Sequence, residues 1–123
     1  MRGQRLFVRP IDSSDSDAIR EFLARHSAAS TVPSTGLVGK LVGDIAAVVA
    51  IEITASAIRI DDIVVAPDLR RKRIGRFMID EVGVLAVKME RHRLVVERPG
   101  DAGEFFRRVG FEREGAQWVR RVK

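Results

Sequence analysis

The stretch "IVVAPDLRRKRIGRFMIDEV", Ile63 to Val82, constrains this chain most: an apolar strand stops at Pro67, a basic loop follows, and a helix starts directly afterwards. Five positive side chains fall within the seven residues Arg70 to Arg76. Ile74, Met78, Val82, Leu85 and Met89 then recur at spacings of four, four, three and four, which predicts a helix over 74–91 with one buried stripe. In a strand–loop–helix unit the first backbone N–H groups of the helix have no intrahelical acceptor. The macrodipole adds about half a positive charge there, so the unit suits a phosphate or another anion.

The flanking sequence supplies the remaining elements. "RLFVRP" predicts a strand over Arg5 to Arg9, ended by Pro10, which cannot donate to a ladder. Asp12, Ser13 and Ser14 offer N-caps to a helix with apolar face Ala18, Ile19, Phe22 and Leu23, fading near His26. The small, polar segment Ser27 to Gly36 reads as a loop. Leu37 to Val42 and Ile45 to Ile53 predict two strands joined by a tight turn at Gly43-Asp44. His92 to Glu97 and Ala116 to Val122 predict two more strands, around a short helix that starts near Asp101-x-x-Glu104 and stops at Gly110.

The strand Ile58 to Val65 breaks its own pattern. Ile58 and Ile60 are even, Ile63 and Val65 odd, with Asp61 and Asp62 at the change. One inserted residue, a β-bulge, would return both runs to a single face. The alternative is that Val64 marks a strand buried on both faces.

Composition limits the function classes. A chain of 123 residues with 46% hydrophobic and 32% charged residues is expected to form one globular domain, 1–123. It contains no cysteine, and only His26 and His92 offer imidazole, so no metal site is expected. No signal-peptide pattern or membrane-length apolar run is present, which makes a cytoplasmic protein the expectation and a membrane partner an excluded one. Residues 1–65 carry seven Lys/Arg against eight Asp/Glu, and residues 66–123 carry fifteen against nine. An anionic partner is therefore expected at the second half, where Arg70, Arg71, Lys72, Arg73 and Arg76 sit.

Two ordered motifs resemble the GNAT superfamily of acyl-CoA-dependent N-acyltransferases. "IVVAPDLRRKRIGRFMI" is similar to its motif A, a strand ending V-x-P before R/Q-x-x-G-x-G/A and a long helix. "AGEFFRRVGFE", Ala102 to Glu112, is similar to its second hallmark, A-x-x-F-Y-x-x-x-G-F-E. The resemblance implies a mixed α/β (α+β) fold: a central, mostly antiparallel sheet, splayed between the fourth and fifth strands and flanked by helices. It implies acetyl-CoA as co-substrate in the splay, with Ile63, Val64 and Val65 along its pantetheine arm. The pyrophosphate would then lie on Arg70, Arg71, Lys72, Arg73, Ile74, Gly75 and Arg76. The implied reaction is transfer of the acetyl group to a primary amine of a small molecule or protein. Arg73 stands where the motif has its first glycine, Pro99 where many members have asparagine, and Phe106 where many have a tyrosine acid; the chain has no tyrosine.

Asp61 and Asp62 are the candidate general bases, ahead of Glu52, Glu97 and His92. Two other functions compete. One is a domain that binds CoA or another ligand without transfer. The other is a basic nucleic-acid-binding domain, which the 6% aromatic content disfavours. A homodimer is compatible with the sequence.

Overall fold

The computed structural model describes residues 6–27, 31–67 and 73–122. Seven strands form one sheet in the order β1-β2-β3-β4-β5-β7-β6: Leu6–Pro10, Gly36–Leu41, Asp44–Ile53, Ile58–Val65, Arg93–Val96, Glu112–Glu114 (β6) and Gln117–Arg121 (β7). Every neighbouring pair is antiparallel except β4 and β5. Helix α1, Ser16–His26, lies on one face; α2, Ile74–Lys88, and the short α3, Gly103–Arg108, lie on the other. Among the described residues no helix is long and apolar enough to cross a membrane.

Alternation sorts the strands onto these two faces. Leu37, Val49, Ile51, Ile58, Ile60, Leu94 and Val96 join Met78, Ile79, Val82 and Ala86 of α2 and Phe106 and Phe111 in the main core. Val38, Val48 and Val64 pack instead under Ile19, Phe22 and Leu23 of α1. The parity break in β4 combines the two arrangements foreseen as alternatives. Pairing with β3 passes from Ala50↔Asp62 to Ile51↔Ile60, so Asp61 is an inserted, unpaired residue. Ile58, Ile60, Ile63 and Val65 therefore share the α2 face, while Val64 is buried on the other.

Several boundaries differ from the sequence expectation. The β2–β3 turn falls one residue earlier, at Val42-Gly43, both at positive φ (52° and 85°), as a two-residue hairpin whose twist matches its strands requires. Helix α2 stops at Lys88 rather than Arg91, because the Arg91 N–H returns to the Ala86 carbonyl at 2.8 Å and its Nε reaches the Thr54 carbonyl at 2.7 Å. Met89 thus leaves the buried stripe and is 37% exposed. Strand β6 had no sequence signal, since Glu-Arg-Glu is exposed throughout and holds its place only by pairing with β7. The expected stop at Gly110 (φ 101°) is present, with Phe111 N–H on the Phe106 carbonyl and Gly110 N–H on that of Arg107.

Candidate functional site

The sheet opens beside β4. Strands β4 and β5 share only the pairs Ile58↔Leu94 and Arg59↔Val95, after which β4 continues to Val65 without β5 beside it. The bulge at Asp61 begins this divergence, since an inserted residue bends its strand and raises its twist.

Ladder parity determines which backbone groups face the opening. The Ala66 N–H donates to the Ala46 carbonyl at 2.9 Å, in the register that continues through Ala47↔Val65, Val48↔Val64, Val49↔Ile63 and Ala50↔Asp62. Hydrogen-bonded and open pairs alternate along an antiparallel ladder. Val64 and Asp62 thus bond to β3, whereas Ile63 and Val65 turn their N–H and C=O groups away from it, into the gap. Val64 differs from its neighbours twice: its backbone serves β3 and its side chain packs under α1.

The amino end of α2 closes one end of the gap. The first helical bond runs from Phe77 N–H to the Arg73 carbonyl at 3.0 Å, so the amides of Ile74, Gly75 and Arg76 precede any intrahelical acceptor. Gly75 permits a close approach there: a Cβ would lie 3.1 Å from Phe105 Cε1 and 3.7 Å from Val65 Cγ2. Arg73, the N-cap, is left-handed at φ 61°, ψ 24°, which explains a glycine at this place in the motif. A non-glycine residue there costs about 1–2 kcal/mol. Arg76 is exposed beside these amides, while Arg70, Arg71 and Lys72 lie outside the described residues.

On the α1 face the bulge borders a groove of about 800 Å³, lined by Leu23, Val32, Thr35, Glu52, Asp61 and Asp62 among others. The loop residues Thr31, Ser34 and Thr35 on its wall carried no sequence signal, because only the return of the chain over β3 brings them there. Arg59 binds Glu52 and Asp61, each at 2.6 Å. Asp62 has no cationic partner among the described residues; its Oδ1 accepts the Ile63 N–H at 2.9 Å. Phe106 is buried, edge-on to Phe105 and Phe111. Among the described residues no three His, Cys, Asp or Glu side chains gather as a metal site would need.

A gap with an open strand edge, a helix amino end across it and a groove behind the bulge can receive an extended, phosphate-bearing ligand from one side and a second reactant from the other. A sequence model of the acetyltransferase (GNAT) domain matches residues 23–113, which is most of the chain. The chain belongs to the GNAT acetyltransferase family. Among curated proteins, none matches it in sequence. Solved structures match it closely in fold at low identity. The ribosomal-protein-S18-alanine N-acetyltransferase from Escherichia coli superposes with a TM-score of 0.81 at 14% identity, covering 97% of this chain and 95% of that one. A GNAT family N-acetyltransferase (YhbS) from Escherichia coli, in complex with CoA, gives 0.80 at 17% identity, covering 100% and 84%. A GNAT family acetyltransferase from Brucella melitensis, in complex with acetyl-CoA, gives 0.73 at 16% identity, covering 98% and 90%.

Proposed function

We propose that this GNAT domain transfers an acetyl group from acetyl-CoA to a primary amine. The observation that carries the reading is the outward backbone of Ile63 and Val65 beside the first amides of α2, which precede any intrahelical acceptor. An extended amide-bearing arm pairs with such an edge as a strand would. A pyrophosphate suits the helix amino end, to which Arg73 and Arg76 add charge. The groove wall supports an amine as the second reactant: among the described residues its charged side chains are Glu52, Asp61 and Asp62, and Arg59 pairs the first two and leaves Asp62 for a cation. The Asp62 carboxylate, beside a charge-paired Arg59 cluster, would draw a cation toward the bulge.

In the transfer the neutral amine attacks the thioester carbonyl, the C–N bond forms and the nitrogen sheds a proton to a carboxylate or water. The C–S bond then breaks and the sulfur takes up a proton, giving amide and thiol. Phe106 supplies no acid, so that proton comes from solvent or from the carboxylate that received the first one. A thiolate with pKa near ~8.5 can leave without full protonation.

Calorimetry tests the binding half of the reading. CoA should bind well above dephosphorylated pantetheine, and the difference should shrink with salt because exposed charges are screened beyond ~8 Å at physiological ionic strength. Equal affinities would remove the phosphate site. Thiol release from acetyl-CoA with a panel of amines tests the chemistry. The buried phenyl ring at Phe106 favours one second reading, a CoA-binding domain without transfer, which tight CoA binding with no thiol release from any amine would support.

A further inference from the structure

Asp62 touches both sides of the bulge. Its backbone belongs to the β3 ladder and its side chain lines the groove, yet its Oδ1 reaches round to the Ile63 N–H that faces the gap. That amide is a rare resource: it is the donor nearest the bulge on the open edge, placed to receive a carbonyl oxygen from a ligand in the gap. In this structure it is occupied by the chain's own carboxylate at 2.9 Å.

We propose that Asp62 is a displaceable cap, which holds the Ile63 N–H until a thioester carbonyl takes it and then turns to the groove to hold the acceptor's ammonium. That ammonium gives one proton to water before the neutral amine attacks. The inference rests on the acetyl-CoA reading above. Three features make the cap releasable. The contact joins adjacent residues, so a side-chain rotation breaks it without moving the backbone. Asp62 is exposed, so the freed carboxylate is solvated at once. It has no cation among the described residues to hold it, unlike its neighbour Asp61, which Arg59 Nε grips at 2.6 Å. Because Oδ1 cannot cap the amide and hold an acceptor at the same time, release of the cap by the acyl donor frees a second carboxylate oxygen for the groove that Asp62 already lines. The cap also offsets the gain from the thioester carbonyl, since one acceptor replaces another on the same N–H.

This has a measurable signature in the affinities of acetyl-CoA and CoA, which differ by the acetyl group alone. Wild-type protein should bind the two almost equally. Asp62→Ala leaves the N–H open and should raise acetyl-CoA affinity relative to CoA by about fivefold, the worth of one net hydrogen bond. Asp62→Asn keeps an oxygen at the same reach and should stay within about twofold of the wild-type ratio, since a neutral acceptor still satisfies the donor. Calorimetry on the three proteins with both ligands decides it. An unchanged ratio in Asp62→Ala, with both ligands bound, overturns the cap and leaves the transferase reading standing. If neither ligand binds any of the three, the acetyl-CoA reading falls and the cap falls with it.

Discussion

Asp15 and Asp62 each accept a backbone N–H beside a strand, and their surroundings have little else in common. At the β1–α1 corner, Asp15 is 4% exposed; its Oδ2 takes the Asp12 N–H at 2.8 Å, and Arg9 clasps both oxygens at 2.6 and 2.7 Å. The Arg9 hydrogen bonds, helped by the Asp12 N–H, hold its pKa down to about 2. At the gap margin, Asp62 is exposed, capped to its next neighbour and unpaired with any described cation. A bidentate cation from the neighbouring strand and a backbone N–H fix a carboxylate in place, whereas one local bond in solvent leaves it free to exchange partners. The corner is built to stay as it is. The margin has helix-start amides that precede any intrahelical acceptor, a left-handed arginine and a local carboxylate contact on the Ile63 N–H.

Variants can break or sharpen this contrast, and the largest effect is expected at the corner. Asp15→Ala should destabilise the fold by about 1.5–3 kcal/mol, the range for hydrogen bonds to charged groups, because it frees a helix-start N–H and strips Arg9 of its partner. Urea unfolding measures it, and a loss below about 0.5 kcal/mol, the level of ordinary surface changes, would equate the two carboxylates.

The acid limb of stability should show the same dependence. Asp15 has its folded pKa lowered from 3.8 to about 2, so its contribution is complete above the unfolded value. It should fade as pH falls from about 4 toward 2, where the folded form also takes up a proton. Asp15→Asn should flatten this part of the pH–stability curve. A wild-type and variant pair that remain parallel from pH 5 to 2, a window chosen around the two pKa values, would deny the coupling to Arg9.

At the margin the signs change. Arg73→Gly should stabilise the protein by about 1 kcal/mol, since glycine adopts φ near 60° without a Cβ clash, although glycine's larger unfolded-state entropy subtracts part of the gain. A melting temperature that falls in this variant would show that the arginine side chain, not the backbone strain, governs the turn. The smallest effect on stability belongs to Asp62→Ala, within about 0.5 kcal/mol, because the contact it removes is local and solvated. A loss as large as that of Asp15→Ala would mean that Asp62 is as structural as its counterpart.

Much of this arrangement was legible in the residues. The parity change at Asp61-Asp62 marked the bulge as one of two readings, because a period of two leaves a one-residue insertion visible in the apolar pattern, while Val64 buried on the other face left the alternative open. The stop at Gly110 and the helix start at Ile74 were legible for the same reason: local conformational demands restrict residue type locally. The paired motifs carried the family itself. Strand β6 escaped, since a short polar edge strand has no pattern of its own, and so did the turn at Val42, where hairpin twist overrode the dislike of a β-branched residue for positive φ.

What the sequence determined by itself was therefore every strand but β6, the three main helices, their buried faces and the chemistry available at each position. Only the tertiary structure decided which backbone groups remain unpaired. Asp61 and Asp62 are indistinguishable as letters, yet one is held by Arg59 from the same strand, and Glu52 joins it from β3, while the other bends over an amide at the gap. That difference depends on ladder parity and on where β5 ends, which are properties of strands meeting through space. Hydrogen-bond satisfaction is settled between segments far apart in the chain, so no local pattern encodes which N–H will be left for a ligand.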